Sequence, residues 1–207
     1  YRRGAHTLPA TLYRPAGRGG PRPGWVLLHG LTCRARAHPA LDRFARAVAA
    51  AGSLVLVPEV PEWRRLRPAP ARTLPTIPAA IRALASLEGA DPDRIGVIGF
   101  SFGATQALIA AADPALEGAL RGLAAWGGYA DLHRLFRFGI TGEFELDGTV
   151  RLLEPDPYGR WVMGGSYVTA VPGLERYGPL AAALRRLALE AGRAGVYAGN
   201  PAYDPLK

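Results

Sequence analysis

A chain of 207 residues, 49% of them hydrophobic, is long enough to bury one core and too short for two ordinary domains. Its net charge of +8 is carried by scattered arginines, with Lys207 the sole lysine, and no helix-turn-helix, zinc-finger or aromatic-basic pattern accompanies it, so nucleic acid is not an expected partner. The single cysteine, Cys33, excludes an intramolecular disulfide and the usual zinc spacings, and the longest nearly apolar run, 45–58, contains Arg46 and Ser53 and falls short of the ~20 residues a membrane span requires.

The opening "YRRGAHTLPA" has two arginines but neither a long apolar stretch nor a cleavage site, so it does not read as a signal peptide. With no disulfide to form, a reducing, cytoplasmic location is expected. The chain starts at Tyr1 without an initiator methionine, which reads as trimming. "HTLPATLYRP" (6–15) suits an antiparallel edge strand, although Pro9 weakens it. "GWVLLHG" (24–30) is a β-rich apolar run ending in glycine, as a buried parallel strand does. A helix is predicted over 38–51, with Leu41, Phe44, Ala45, Val48 and Ala49 on one face, Pro39 and Asp42 in the first turn, and Gly52 as the stop. "SLVLVPEV" (53–60) is the second core strand, and "EWRRLRP" (62–68), the densest basic cluster, reads as a solvated loop.

A second helix is predicted over 78–88, with Ile81, Leu84 and Leu87 in line after Ile77 and Gly89 as its cap. "ADPDR" reads as a turn before a third strand over 95–100; the helix leaving that strand runs over 102–112, and a fourth strand covers 120–129. Strands separated by helices imply right-handed crossovers, hence an α/β fold: a mostly parallel sheet with helices on both faces. Beyond Tyr129 the rhythm changes to a short amphipathic helix, an Asp147-Gly148 hairpin and helical stretches at 158–169 and 179–191. Residues 1–130 are therefore expected to form the core, and 131–207 a mainly helical cap that walls a pocket with residues such as Trp161, Met163 and Tyr167.

The chemistry concentrates in Gly99-Phe100-Ser101-Phe102-Gly103, a G-x-S-x-G sequence with a buried strand before it and a small-residue helix after it. A serine on so tight a strand-to-helix turn needs nearly side-chain-free neighbours two residues away, and Gly99 and Gly103 meet that need. The helix behind it aims backbone N–H groups at a developing oxyanion. His29-Gly30-Leu31 ends the first core strand beside this turn, so the amides of Leu31 and Phe102 are the candidate oxyanion hole, and His29 reads as a loop-supporting residue. Cys33 reads as a small buried residue, since nothing near it would lower its pKa.

"LLHGLT" followed by "DPDRIGVIGFSFGATQA" resembles the α/β-hydrolase superfamily, and the lead-in with its F-S-F-G turn is similar to the dienelactone hydrolase-like and prolyl-oligopeptidase-like esterase branches. The resemblance covers residues 7–129 and departs at Ala104, where many relatives carry another glycine. It implies Ser101 as nucleophile, the Leu31 and Phe102 amides as oxyanion hole, a small-molecule acyl substrate, no metal or organic cofactor, and a cap inserted after the strand ending near Tyr129. It also implies an acid and a histidine after the nucleophile, in that order. The sole histidine after Ser101 is His133, a candidate base, with Asp131, a candidate acid, two residues before it; a solvated or cap-packed residue is the plainer reading of His133. The acid and histidine are accordingly expected beyond Lys207, in a longer hydrolase with two more strands. A sheet left open at that edge would favour homo-oligomers. The alternative is a non-catalytic hydrolase-like fragment or module, lacking the acid and histidine, that binds a small apolar ligand or a partner.

Overall fold

Apolar β runs alternate with helices of one apolar stripe, and burying both requires a sheet covered on each face. In the computed structural model the described residues are 1–17 and 19–194; the final "NPAYDPLK", expected to be a loop leaving the cap, lies outside them. The described chain divides into two compact units, one of residues 1–64 and 68–128, the other of 65–67 and 129 onward.

The first unit begins with β1 (Arg2–Arg3) and β2 (His6–Thr7), a small antiparallel pair that sequence reasoning did not foresee. It continues through β3 (Ala10–Tyr13), β4 (Arg22–Leu28), α1 (Pro39–Ala50), β5 (Leu54–Pro58), α2 (Pro61–Arg64), α3 (Pro70–Thr73), α4 (Thr76–Ala85), β6 (Ala90–Phe100), α5 (Phe102–Ala111) and β7 (Gly122–Trp126). The sheet has five strands in the order β3-β5-β4-β6-β7, with β3 antiparallel at one edge and the other four parallel. Alternate residues of each strand separate the faces. Leu27, Val55, Val57 and Ile98 meet the Leu41-Ala45-Ala49 stripe of α1. On the opposite face a side chain at Gly24 would run into Leu84 of α4 and Ile95 of β6.

Trp25 decides how the strands on the α1 face fit. Its indole lies over Gly96 of β6 and reaches Gly122 of β7, where an added Cβ would come within 2.9 Å of the ring. At Gly96 an added Cβ would overlap the ring outright.

Three local expectations change. "ADPDR" is not a turn before the strand but lies inside β6: between the Arg22↔Ala90 and Gly24↔Ile95 pairs the register shifts, so the turn-forming residues are accommodated as a bulge. Asp91 holds that bulge through the Asp93 amide at 3.1 Å and Arg94 at 2.6 Å. "EWRRLRP" is not a solvated loop, because Trp63 of α2 is completely buried and Glu62 pairs with Arg3 at 2.7 Å. Gly89 does not cap α4, whose C-cap is Ser86; at φ +83° it turns the chain into β6 instead.

The second unit contains α6 (Leu132–Thr141), β8 (Glu143–Leu146), β9 (Thr149–Leu152), α7 (Pro157–Tyr167) and α8 (Gly178–Ala194). The β8–β9 hairpin turns at Asp147 and Gly148, with φ of +52° and +72°, the left-handed pair that an Asp-Gly sequence favours. Helices α7 and α8 approach closely at Gly164 and Gly165, where an added Cβ would fall 2.7 Å from Leu184 and 2.6 Å from Arg185.

Because the indole lies directly against Gly96, Gly96→Ala is expected to lower the unfolding free energy by about 1–3 kcal/mol. Adding Trp25→Leu should recover part of that loss. Urea denaturation of the two variants checks both.

Candidate active site

Strand β6 ends at Phe100 and helix α5 starts at Phe102, so one residue must turn the chain from strand to helix. That residue is Ser101, with φ +53° and ψ −124°. An L-residue held in such a region costs about 1–3 kcal/mol and persists only where its surroundings impose it. Here they do: the Ser101 amide donates to the Trp126 carbonyl of β7 at 2.7 Å, and the amides of Ala104 and Thr105 donate to the Ser101 carbonyl at 2.9 and 3.4 Å. The flanking glycines are required by contact. A Cβ on Gly99 would lie 2.5 Å from the Gly103 carbonyl and 2.6 Å from Ala104 Cα, and one on Gly103 would overlap the His29 carbonyl oxygen. Ser101 is the exposed residue of the turn, while Phe102 and the helix behind it are buried.

Phe102 and Gly103 open α5, so their amides have no carbonyl one turn back in the helix to donate to and sit at its positive end. The end of β4 comes equally close. A Cβ on Gly30 would lie 2.9 Å from Ser101 Cβ and 3.3 Å from its Oγ, and Leu31 is the next residue. The structure thus brings Ser101, Gly99, Gly103, His29, Gly30, Leu31 and Phe102 to one place in the first unit.

His29 is 2% exposed, and its Nδ1 lies 2.7 Å from the Gly30 carbonyl oxygen. That contact requires a proton on Nδ1 and leaves Nε2, buried and without a hydrogen-bond partner among the described residues, as the lone-pair nitrogen. Burial lowers the His29 pKa, against the weaker upward pull of the Gly30 bond. The ring stands edge-on to Trp63 at 5.4 Å, and Trp63 stands edge-on to Phe102 at the same distance. The buried indole therefore braces the end of β4 against the start of α5, a role that reading 62–68 as a loop missed. The i, i+3 spacing of Trp63 and Leu66 was the available signal.

Beside Ser101 is a cavity of about 470 Å³ lined by Leu31, His38, Leu41, Phe44 and Phe100. His38 was expected only as the start of α1. It is the N-cap of that helix, its Nδ1 accepting from the Ala40 amide at 3.3 Å, which places the proton of the neutral ring on Nε2. Burial first, then Arg34 and Arg43, lower its pKa. A neutral His38 with Nε2–H is a hydrogen-bond donor, not a proton acceptor. Cys33 is half-buried, less enclosed than expected.

Asp131 and His133 belong to the second unit. The Asp131 carboxylate caps α6, accepting from the amides of His133 at 2.8 Å and Arg134 at 3.1 Å. Its pKa is lowered by the Arg134 amide bond first, with the His133 amide adding to it against a desolvation effect of opposite sign. His133 is exposed on the first turn of the same helix. Among the described residues no group of three or more His, Cys, Asp and Glu side chains is placed to hold a metal, and no helix is long and apolar enough to cross a membrane.

Two outcomes follow from this geometry. Ser101→Gly should relieve the backbone and raise the unfolding free energy by about 1 kcal/mol, whereas Ser101→Ala, which keeps the Cβ, should stay within about 0.5 kcal/mol of the parent. Denaturant unfolding distinguishes them. For His29 the folded pKa lies below the ordinary 6.5, so as pH falls through that value the unfolded chain binds a proton that the folded chain declines. Its contribution is complete above pH 6.5 and is lost on acidification. The decline in stability below that pH should be shallower in His29→Gln, which cannot titrate, as urea unfolding at a series of pH values would record.

No protein-family model matches the sequence, and no curated protein sequence matches it. Solved structures do match. A 2,6-dihydroxy-pseudo-oxynicotine hydrolase superposes with a TM-score of 0.52 at 25% identity, over 89% of this chain and 44% of its own. Est1E from Butyrivibrio proteoclasticus, with ferulic acid bound, gives 0.54 at 18% over 75% and 65%. Dienelactone hydrolase from Anabaena variabilis gives 0.51 at 22% over 65% and 63%. The chain thus spans less than two thirds of each of these proteins. The mostly parallel sheet with helices on both faces is the α/β-hydrolase fold that this chain shares with these proteins.

Proposed function

We propose that the chain is a serine hydrolase acting on an ester, lactone or related acyl bond, with Ser101 as nucleophile. The observation that carries this reading is the conformation of Ser101: an exposed hydroxyl on a backbone at φ +53°, imposed by two glycines and opening onto a cavity of ligand size. The fold likeness to a hydrolase at 25% identity supports it. Ser101 Oγ attacks the acyl carbon and gives up its proton, the carbonyl oxygen becomes an oxyanion held by the amides of Leu31 and Phe102, and the leaving group departs with a proton. Water then attacks the acyl-enzyme and returns Ser101. His29 and Trp63 hold the two amide-bearing segments in place. In this reading residues 131–207 act as a cap.

The step that decides the matter is the first proton transfer, because an unassisted serine is a poor nucleophile at neutral pH. Among the described residues of the first unit, His29 is walled in and His38 carries its proton on Nε2. Superfamily order places the base after the nucleophile, which assigns it to His133 or to a histidine outside these 207 residues. The same observation favours a second reading, a hydrolase-like module that binds an apolar ligand without turning it over.

Intact-mass analysis after exposure to a fluorophosphonate separates the readings. A single adduct, absent in Ser101→Ala, is the expected result. A folded chain that takes no adduct would overturn the enzymatic assignment for this chain and leave the binding module.

A further inference from the structure

The cavity beside Ser101 has a shape that the proposed chemistry does not by itself require. Two of its walls are aromatic: Phe44 from α1 and Phe100 from the end of β6, with ring centroids 5.2 Å apart and planes at 86°. They form a right-angled corner. Phe100 is the residue immediately before Ser101, so the corner stands at a fixed distance from the hydroxyl. Its ring is backed by Trp126, which lies opposite it in the β6–β7 register and stacks on it at 6.0 Å and 16°. Phe44 also meets Trp126, at 6.3 Å and 74°, and packs against the buried Leu27-Leu41-Ile98 cluster. Neither wall is a loosely hung side chain.

We propose that this cavity is an aryl pocket in which Phe44 and Phe100 select an uncharged aromatic group next to the bond that Ser101 addresses. A planar ring seated in the corner meets one phenyl face in an offset stack and the other edge to face, the two arrangements that the aromatic quadrupole favours. An alkyl chain of similar area gains burial alone. The residues lining the cavity include no arginine, aspartate or glutamate, so a neutral aryl ester is taken in preference to a charged one. The position of the bond relative to the pocket rests on the reading of Ser101 as nucleophile; the aryl preference does not.

The test uses the full chain carrying Ser101→Ala, so that no turnover intrudes, and two neutral probes of comparable size, methyl benzoate and methyl hexanoate, titrated by NMR. Methyl benzoate should bind about tenfold more tightly. Phe44→Leu should bring the ratio close to one while changing methyl hexanoate binding by less than about twofold, and Phe100→Leu should do the same from the other wall. Equal binding of the two esters, binding of neither, or a preference that survives both variants overturns the proposal. The two readings fail separately. A chain that takes no fluorophosphonate yet keeps the benzoate preference loses its nucleophile and retains the pocket; a labelled Ser101 without the preference loses only the pocket.

Discussion

The constraint on which the first unit depends is the distance between β6 and α5. A strand that becomes a helix across one residue forces the helix back against the strand it has just left, and the contact is backbone on backbone: Gly99 against the Gly103 carbonyl and Ala104, Gly103 against His29. Nothing larger than hydrogen fits. From that approach follow the left-handed conformation of Ser101, its exposure, and the buried start of α5, whose residues from Phe102 to Ala107 are all enclosed. The first half of α5 is buried on every side and so shows no amphipathic stripe, and the close approach is met by the small residues Gly99, Gly103 and Ala104. The bond from the Ser101 amide to Trp126 closes the arrangement by fixing β7 to the same turn.

The second shared element is Trp63. Its edge contacts to His29 and Phe102 tie the strand end that supplies Leu31 to the helix start that supplies the Phe102 amide. In the proposed hydrolase reading two donors must converge on one oxygen for an oxyanion to be stabilised without reorganisation, and the indole would serve that end without touching anything that reacts. The neutral state of His29 fits that duty. A charged ring in so enclosed a position would lose more by desolvation than the Gly30 bond and the Glu59 charge return.

How much of this was legible in the sequence depended on whether the decisive contact was local. The strand before the serine, the helix after it and the two glycines are neighbours in the chain, and they were readable because a tight turn leaves its signature within five residues. The α1 stripe and the Asp-Gly hairpin were readable for the same reason. Trp63 was not, since three arginines around it dominate the local composition and its burial is decided by β4 and α5. Nor was the fate of "ADPDR", whose turn chemistry is real but is spent on a bulge inside β6 once β4 is alongside. His38 was legible as a helix start, and its place in the cavity wall was not, because only the packing of α1 over the sheet brings it there.

The case of the histidines shows why residue type alone does not locate a base. His29 and His38 both line the cavity next to Ser101, and a motif search would accept either one. Each is already committed through Nδ1, His29 as a donor to a carbonyl and His38 as an acceptor from an amide, and these opposite commitments fix opposite tautomers. His29 has the lone pair a base needs, but on a nitrogen sealed in the core; His38 faces the cavity with the wrong nitrogen protonated. Exchanging either tautomer would break the bond to the Gly30 carbonyl or the one that caps α1. The architecture around Ser101 therefore uses both rings as structure, and under the proposed reading the base is a residue other than these two.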